Sequence, residues 1–411
     1  MKIAPLTRIF VFSIAAFFAS SCAGFSSVYS AEPDEHVVVF VPGYKGTFLV
    51  DSKTKEKVWI TPYEALFGRR VLTLNKEVLG FAAVPALERG EIIKSVPVVP
   101  LLYSYDGYGH WLRALKHASG ANSRLVEFPY DWRRDNVLSA ADLLGLVKSL
   151  RVSGVHKITI VAHSMGGLLT AYFLRYGGQD QARAVETWEG ARLVDDVILL
   201  GVPFGGSMLM LHDMVNGTKT VWNKSLLSQS ALGSFPSAYE ILPYPDAGCL
   251  LNSAEEDVSG PIYDANSWKR LGWGLFSENH AGPELSEQRF LYTKQMLERA
   301  QTFFAALHRP LISPPEQKRR LLYIRGKNTP TLARALYEDT AEQKILFKEK
   351  DGGVVTLYAS GDGLVTDKSS ELPEAYLAAF DSRNAWTSEM HANLCCPSEV
   401  REELSNFLGG K

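Results

Sequence analysis

The chain has 411 residues, of which 46% are hydrophobic and 21% are charged, so it is long enough to bury the core of one large domain or two ordinary ones. Its 43 basic and 45 acidic residues give a formal net charge of −2. This balance argues against nucleic-acid binding and against attachment to anionic membranes through bulk charge. Any contact with lipid must therefore come from local apolar surface.

The first segment, residues 1–31, has the pattern of an export signal. Lys2 and Arg8 accompany a mostly apolar run at residues 9–19, which is too short to span a bilayer. A lipoprotein signal that leads to acylation of Cys22 is the alternative. We expect an exported protein that is periplasmic, secreted or associated with the cell envelope, and that is lipid-anchored in the second case.

Further along the chain, β-branched apolar runs alternate with helical patterns. This alternation predicts a mostly parallel central sheet flanked by helices on both faces. A helical pattern at residues 137–152 follows the second run, and an apolar helical stretch at 168–174 follows the third. The strand-like runs are residues 36–41, 124–128, 157–161, 194–200, 320–324 and 354–358.

Two intervals interrupt this alternation. Residues 44–95 carry no clear parallel strand, and residues 208–318 are long and rich in turn signals. Insertions of this kind lie over the carboxyl ends of the strands, where ligands bind. The sequence thus predicts a core formed by residues 36–207 and 319–411, a cap or lid at 208–318, and a lipid-contact insertion at 44–95.

Ser164 stands in the pattern Ala-His-Ser-Met-Gly at residues 162–166, which is typical of a nucleophile elbow. Small residues flank the serine because the sharp strand-to-helix turn brings neighbouring backbone close. The pattern alone is weak, but a β-branched strand precedes it and an apolar helix follows it. An ordinary tight turn is the alternative. The favoured interpretation is an α/β-hydrolase fold with Ser164 as the nucleophile.

A serine hydroxyl needs a base, and in this fold the triad follows the chain order serine, acid, histidine. Asp362 follows the last strand-like run and lies between two glycines, which let the loop turn its carboxylate inward. Of the nine histidines, only His391 lies beyond it. The sequence therefore predicts Asp362 as the acid and His391 as the base. An Asx turn and a surface histidine are the alternatives, and the competing acids are Asp351, Asp367 and Asp381.

Two backbone N–H groups should meet the oxyanion that forms when an ester is attacked. One belongs to Met165, directly after the nucleophile, and the other to Tyr44 in the loop after the first strand. A simple glycine turn would account for Gly43 and Gly46 equally well. We expect His163 to pack within the elbow, with its side chain pointing away from the base.

The four cysteines match no zinc-ligand spacing, and we expect neither a metal nor a cofactor. If the chain is cleaved after Cys22, three cysteines remain, an odd number for an oxidising compartment. A disulfide from Cys249 to Cys395 or Cys396 is one arrangement that the sequence allows.

Several short stretches follow one another in a recognisable order: residues 41–46, 129–133, 162–167, 201–207 and 361–365, with Phe-Pro-Ser at 235–237. Together they resemble the lecithin:cholesterol acyltransferase family, which includes phospholipid:diacylglycerol acyltransferases and a lysosomal phospholipase. Pro-Tyr-Asp-Trp-Arg at 129–133 is the most specific stretch, because ordinary lipases lack it. Within it, we interpret Asp131 and Arg133 as a buried ion pair that braces a strand end.

The resemblance implies an acyl-enzyme on Ser164, formed from a glycerophospholipid or a related lipid ester. The acyl group then passes to a lipid alcohol or to water. The resemblance also implies that residues 44–95 and 208–318 hold the lid and the contact with a membrane or lipid surface. The chain departs from the family at Leu364 and Thr366, where Thr and Pro are usual. The acyl acceptor is therefore left open.

Two other functions remain as alternatives. A carboxylesterase or lipase for other, smaller esters would need no long cap. A non-catalytic lipid-binding protein on a hydrolase fold would not need Ser164, Asp362 and His391 together. The sequence does not separate a transferase from a hydrolase, because the outcome depends on whether water or a bound alcohol reaches the acyl-enzyme first.

Overall fold

The computed structural model describes residues 35–68, 70–74, 86–99, 103–220, 223–252, 254–277, 282–338, 344–348 and 356–409. The predicted export signal at residues 1–31, including Cys22, lies outside these ranges. Within them, no helix is both long enough and apolar enough to cross a membrane.

Strands and helices alternate through the described ranges. The strands are β1 (His36–Val41), β2 (Thr47–Asp51), β3 (Lys57–Trp59), β4 (Leu87–Ile92), β5 (Ser95–Val99), β6 (Tyr103–Asp106), β7 (Ser123–Glu127), β8 (Lys157–His163), β9 (Asp196–Leu200), β10 (Thr218–Thr220), β11 (Asn223–Leu227), β12 (Leu250–Leu251), β13 (Arg320–Gly326), β14 (Thr329–Leu332), β15 (Ala335–Glu338), β16 (Lys344–Leu346), β17 (Tyr358–Gly361) and β18 (Asp381–Thr387). The helices are α1 (Pro62–Leu66), α2 (Gly109–Ser119), α3 (Asn136–Val152), α4 (Met165–Tyr176), α5 (Glu189–Leu193), α6 (Met208–Asn216), α7 (Gln229–Gly233), α8 (Pro236–Tyr239), α9 (Ala265–Leu271), α10 (Pro283–His308), α11 (Glu374–Ala379) and α12 (Ser398–Leu408). Short 3-10 helices lie at Gln181–Arg183, Gly260–Tyr263, Gly274–Phe276 and His391–Asn393.

In the described part of the chain, the central sheet has six strands in the order β18–β13–β9–β8–β1–β7, all of them parallel. In the middle of the sheet, β1 pairs with β8 from His36 opposite Lys157 to Val41 opposite Ala162. The loops after these two strands therefore begin side by side at the carboxyl edge. The predicted mostly parallel sheet flanked by helices is confirmed.

Alternate residues of β1 face two separate parts of the core. Val37, Val39 and Val41 belong to one apolar cluster, whereas Val38 and Phe40 belong to another. Residues of α3 and α4 contribute to the first cluster, and residues of α2 and α12 to the second. Because both faces are covered, β1 is a nearly continuous apolar run rather than an alternating one. Each such side chain contributes about 1.5–3 kcal/mol when it is fully buried.

The last predicted strand, residues 354–358, is wrong. Residues 354–355 lie outside the described ranges, residues 356–357 are not in a strand, and β17 begins only at Tyr358. β17 pairs antiparallel with β14, outside the central sheet. The sixth central strand is instead β18, whose sequence Asp-Ser-Arg-Asn-Ala-Trp-Thr has no apolar run. Because β18 is an edge strand with largely exposed side chains, it carries the polar pattern that protects sheet edges.

The two intervals that interrupt the alternation contain elements of their own. In residues 44–95, an antiparallel sheet has the order β3–β2–β4. Residues 208–318 contain α6 to α10. The last of these, α10, packs on the core helix α4, where the rings of Phe303 and Tyr172 stack with centroids 5.7 Å apart. The long helix at the end of this interval is thus joined to the core.

Candidate active site

Ser164 lies at the junction of β8 and α4, at the carboxyl edge of the central sheet. Its φ of 55° and ψ of −128° form a conformation that residues other than glycine rarely adopt. Its N–H donates to the carbonyl of Leu200, at the end of β9, over 2.9 Å. Such backbone strain persists only where the surrounding structure enforces it, and it clusters at functional sites.

The two glycines after Met165 have no room for side chains. A Cβ on Gly166 would lie 2.4 Å from the carbonyl oxygen of Pro42, and one on Gly167 would lie 2.1 Å from Cγ2 of Val202. The start of α4 therefore runs directly against the segments that follow β1 and β9. This packing explains the small residues that the sequence places after the serine.

Asp362 and His391 form a hydrogen-bonded pair at the same edge of the sheet. Nδ1 of His391 lies 2.7 Å from Oδ2 of Asp362, and the backbone N–H of His391 donates to the carbonyl of Asp362 over 2.9 Å. Gly326, at the end of β13, permits this arrangement because a Cβ there would lie 2.4 Å from the Cβ of Asp362. His391 also lines the same cavity as Ser164.

The carboxylate of Asp362 is held in its ionised form. Burial alone would raise its pKa, but the charge and hydrogen bond of His391 and the N–H groups of Val365 and Leu364 outweigh burial. The pKa of Asp362 therefore lies below its ordinary value. Because this carboxylate accepts a hydrogen bond from Nδ1–H, a neutral His391 has its lone pair on Nε2, which is the form that can act as a base.

The loop after β1 is a tight turn packed against the elbow. The N–H of Gly46 donates to the carbonyl of Gly43 over 3.1 Å, and a Cβ on Gly43 would lie 2.8 Å from the Cβ of Ser164. Tyr44, the predicted second oxyanion donor, therefore follows the residue that touches Ser164. Met165, the predicted first donor, opens α4, where N–H groups have no acceptor within the helix.

A chain of hydrogen bonds that the sequence did not reveal joins this turn to His391. The N–H of Gly43 donates to Oη of Tyr108 over 2.7 Å, and the same Oη lies 2.7 Å from Nδ1 of His163. Nε2 of His163 lies 3.1 Å from the carbonyl oxygen of His391. Because a carbonyl only accepts, Nε2 of His163 carries the proton, and Nδ1 accepts from Tyr108.

His163 packs inside the elbow, but the prediction that it points away from the base is wrong. Its ring lies against the ring of His391, with centroids 4.6 Å apart. Burial first, and then the charge of His391, lower the pKa of His163 well below its ordinary value, so it stays neutral. The local motif gave no sign of this contact, because Tyr108 anchors the ring from 55 residues away.

The Pro-Tyr-Asp-Trp-Arg stretch after β7 supports the turn on both sides. Oη of Tyr130 donates to the carbonyl of Pro42, and Nε1 of Trp132 donates to the carbonyl of Thr47, each over 2.9 Å. The ring of Trp132 also meets the ring of Tyr44 edge-on, with centroids 5.0 Å apart. The most specific stretch of the sequence thus fixes the loop that carries the predicted oxyanion donor.

Asp131 and Arg133 form a buried ion pair, as the sequence predicted. Nη2 of Arg133 lies 2.6 Å from Oδ2 of Asp131, and the two side chains are 1% and 7% exposed, respectively. Nε of Arg133 also donates to Oδ1 of Asp131 over 2.9 Å, and Nη1 and Nη2 donate to the carbonyls of Thr73 and Leu87 over 2.8 and 3.2 Å. Neither residue lines the cavity that contains Ser164. The pair therefore holds neighbouring segments together.

Ser164 opens into a cavity of about 260 Å³. Its lining is largely apolar, but it includes two charged residues, Lys45 and Asp213. A second cavity, of about 790 Å³, adjoins the first at Ser207 and Leu364, which line both. Apolar cavities with a few convergent polar groups are typical of small-molecule sites.

Of the competing acids, Asp351 lies outside the described residues. Asp381 opens β18 opposite Arg320, at the amino end of the sheet and therefore away from Ser164. Asp367 lines the second cavity rather than the one that contains Ser164. Among the described acids, the one that bonds the His391 ring is the acid that the chain order selected.

In the described ranges, Cys249, Cys395 and Cys396 form no disulfide, so the pairing that the sequence allowed is absent there. Cys249 and Cys395 belong to different apolar clusters. Cys395 and Cys396 instead lie beside His110, and the ligand atoms of the three are within 4.8 Å of one another. Zn²⁺ accepts these ligand types, although closed structural sites use four. None of the three residues lines the cavity that contains Ser164.

A family model for lecithin:cholesterol acyltransferase matches residues 78–269 of the chain. The matched segment includes Ser164 and the Pro-Tyr-Asp-Trp-Arg stretch, and it ends before Asp362 and His391. The resemblance that was first drawn from short stretches of sequence is therefore confirmed.

Two relatives match over about half of this chain. Uncharacterized protein YJR098C of Saccharomyces cerevisiae is 25% identical over 241 residues, which cover 57% of this chain and 33% of the yeast protein. Phospholipase A(1) LCAT3 of Arabidopsis thaliana is 26% identical over 251 residues, which cover 52% of this chain and 53% of the plant protein. The match thus spans a third to about half of the length of these relatives.

A solved structure has a similar fold. A chain of the Tle4–Tli4 complex matches with a TM-score of 0.50 and 13% identity, over 93% of this chain and 99% of that one. At this identity the likeness shows the fold alone. Together with the parallel sheet and the turn at Ser164, it confirms the predicted α/β-hydrolase fold.

Proposed function

We propose that this chain, an α/β hydrolase whose residues 78–269 match the lecithin:cholesterol acyltransferase family, is an enzyme of lipid acyl esters. It forms an acyl-enzyme on Ser164 from a glycerophospholipid-type ester and passes the acyl group to a lipid alcohol or to water. The observation that carries the proposal is the hydrogen bond between Nδ1 of His391 and Oδ2 of Asp362, over 2.7 Å. His391 lines the same cavity as Ser164.

In the first half of the reaction, Ser164 becomes acylated. Nε2 of His391 takes the proton of the Ser164 hydroxyl as its oxygen attacks the ester carbonyl. Asp362 holds the imidazole in the required tautomer and stabilises the imidazolium. When the tetrahedral intermediate collapses, the bond to the lipid alkoxide breaks, and His391 returns the proton to that leaving oxygen.

The negative charge of the tetrahedral intermediate needs donors that are already in place. The N–H groups of Met165 and Tyr44 fill this role, and each such donor is worth about 3 kcal/mol in the transition state. The hydrogen bonds of Tyr130 and Trp132 on either side of Tyr44 support this assignment, because they hold the turn in place before substrate arrives.

In the second half, a water or a lipid alcohol attacks the acyl-enzyme. His391 takes the proton of the incoming hydroxyl as its oxygen bonds to the acyl carbon. The bond between the acyl carbon and Oγ of Ser164 then breaks, His391 returns the proton to Oγ, and the new ester or acid leaves. Water gives a phospholipase, and an alcohol gives an acyltransferase. Both outcomes belong to the proposal, because the same residues serve either acceptor.

Contact with a lipid surface is part of the proposal, and residues 44–95 are its first candidate. Tyr63 and Phe67 on and beside α1 are 66% and 63% exposed, and their rings lie 6.4 Å apart. Paired exposed aromatic rings favour the interface between water and lipid. Residues 208–318 act as the cap, since α6 contributes Leu209 and Met210 to the cavity that contains Ser164. The export predicted from residues 1–31 would deliver the enzyme to envelope lipids.

The first prediction tests the triad with phosphatidylcholine vesicles and separation of labelled products. Ser164→Ala and His391→Ala should each lower acyl release by at least about 10⁴-fold, because each removes a member of the proton relay. Asp362→Asn should lose roughly 10³–10⁴-fold, because the amide favours the wrong imidazole tautomer. Ser149→Ala, on an exposed position of α3, is the matched control and should keep full activity.

The products also separate the alternatives. A labelled free fatty acid identifies a phospholipase, and a new ester formed with an added lipid alcohol identifies a transferase. Turnover of short soluble esters without turnover of phospholipid would favour the carboxylesterase. A wild-type chain that neither turns over an ester nor reacts with a fluorophosphonate would contradict the proposal and favour a lipid-binding protein.

A further inference from the structure

The cavity beside Ser164 has a polar end that ester chemistry does not require. Lys45 and Tyr44 lie on the turn after β1, and Asp213 lies on α6. All three line the same cavity as the nucleophile. An apolar acyl chain would gain nothing from an ammonium group, so this end points to a polar part of the ligand.

Lys45 is fixed at the end of the cavity in an unusual backbone conformation. Its φ is 66°, in the left-handed region that favours glycine, and its carbonyl accepts a hydrogen bond from Nε1 of Trp59 over 3.1 Å. Retaining a lysine there has a cost in backbone strain, which clusters at functional sites. This backbone conformation and the hydrogen bond from Trp59 together fix the position of the Lys45 backbone, from which the side chain extends.

Within the part of the chain that the structure describes, the charge of Lys45 has no close partner. Among the described residues, none forms a hydrogen bond or a salt bridge with Nζ, which lies 5.1 Å from the ring centroid of Tyr44. Burial lowers the pKa of Lys45, and the negative charge of Asp213 opposes this effect. A partly buried cation of this kind gains from a bound anion because the local dielectric is low.

Tyr44 adds a second donor. Its hydroxyl is buried and has no hydrogen-bond partner in the part of the chain that the structure describes. Its ring is held against Trp132, so the hydroxyl is fixed in position. Burial, and then Asp213, raise the pKa of Tyr44 well above its ordinary value, so the hydroxyl keeps its proton. A buried donor left unsatisfied is costly and suggests that a ligand oxygen fills the place.

We propose that Lys45 and Tyr44 form a binding site for the phosphodiester of a phospholipid, beside the ester that Ser164 attacks. This inference rests on the proposed function and names the part of the substrate that the polar end recognises. The phosphate of a glycerophospholipid is only a few bonds from its ester carbonyls. A phosphate site at Tyr44 and Lys45 fits this short separation, because the backbone N–H of Tyr44 is also the proposed donor to the ester oxyanion. Asp213 brings the charge of the polar end near zero, which suits a phosphodiester whose head group carries a cation.

The second prediction is a change in substrate preference rather than in overall rate. The values of kcat/KM for phosphatidylcholine and for diacylglycerol with the same acyl chains are compared in mixed micelles of a neutral detergent. In Lys45→Met the ratio of the two should fall by about tenfold or more, because the charge-assisted bond to phosphate is lost. Lys45→Arg should restore most of the ratio. Lys116→Met changes an exposed lysine on α2, outside the proposed lipid-contact and cap segments, and should leave the ratio unchanged.

A binding measurement keeps this inference separate from the proposed function. A short-chain diether phosphatidylcholine has no ester to cleave, so its affinity can be measured by calorimetry whether or not the enzyme turns over. Lys45→Met should bind it about tenfold more weakly than wild type, and Lys116→Met should match wild type. Equal binding by Lys45→Met and wild type would overturn the phosphate site. So would an equal loss of turnover on both substrates in Lys45→Met, since Lys45 would then act at the ester itself.

Discussion

At the scale of single residues, the site depends on backbone segments that lie so close together that only particular side chains fit between them. Ser164 keeps a positive φ, and Gly43 comes so near that a Cβ would overlap the serine. Tyr108 and His163 then connect that glycine to the carbonyl of His391. His391, the proposed base, and the turn that carries the proposed oxyanion donor are therefore positioned by one set of hydrogen bonds.

The third prediction concerns Tyr108→Phe, which removes a hydroxyl that accepts from Gly43 and donates to His163. The buried N–H of Gly43 would lose its partner, at a cost of about 1–3 kcal/mol in the free energy of unfolding. Because the turn and His391 are both loosened, kcat should fall by roughly 10–100-fold with little change in KM. Unfolding in denaturant and steady-state kinetics check the two effects. A lower stability with unchanged kcat would contradict the positioning role.

The residues of the proposed triad could be selected from the sequence, whereas Tyr108 could not. The hydrolase chain order left His391 as the one histidine after Asp362, and the structure joins the two by a hydrogen bond. No short pattern marks Tyr108, because its partners lie 55 and 65 residues away along the chain. Contacts of that range depend on how α2 docks on the sheet, and one sequence alone does not specify the docking.

At the scale of elements, the buried strands could be predicted from the sequence, whereas the edge strand β18 could not. β1, β8, β9 and β13 are covered on both faces, so their apolar runs stand out in the sequence. β18 is polar because it is exposed at an edge, and β17 belongs to a separate antiparallel pair with β14. The choice of Asp362 stays a prediction, and it holds whichever sheet precedes the Gly-Asp-Gly signal.

The fourth prediction concerns the turn at residues 43–46. In Gly43→Ala, the new Cβ would lie 2.8 Å from the Cβ of Ser164 and 3.0 Å from Oη of Tyr108, so the turn must move off the elbow. We expect a loss of stability of about 1–3 kcal/mol. We also expect acyl release to fall by about 100-fold, because Tyr44, the proposed oxyanion donor, moves with the turn.

Gly145→Ala is the matched control for this substitution. Gly145 lies within α3, and a Cβ there meets nothing within 4 Å. Alanine should therefore leave activity intact and raise stability by about 0.5–1 kcal/mol, since glycine is a poor helix residue. Denaturant unfolding and vesicle assays on both variants provide the measurement. Full activity in Gly43→Ala would show that the turn tolerates displacement and would remove Tyr44 from the oxyanion site.

At the scale of the whole molecule, a core on both faces of the sheet leaves some polar groups partly buried beside it. His36, the first residue of β1, is one of them, with Nε2 lying 2.9 Å from Oγ1 of Thr159 on β8. Burial first, and then Lys157, lower the pKa of His36 to about 4, although Asp196 and Asp195 oppose the shift. His36 therefore takes up a proton at a lower pH in the folded chain than in the unfolded chain.

The fifth prediction follows from the sign of that difference. An unfolded histidine has a pKa of about 6.5, so between about pH 6.5 and 4 the unfolded state binds the proton and gains stability. The contribution of His36 is complete above that range and is lost as the pH falls towards 4. After allowance for partial exposure, it should amount to about 1–2 kcal/mol. Denaturant unfolding of His36→Gln should show a shallower decline with falling pH than wild type, and the exposed His117→Gln should decline as wild type does. An unchanged decline in His36→Gln would assign the acid sensitivity to His163 and His308, whose pKa values burial also lowers.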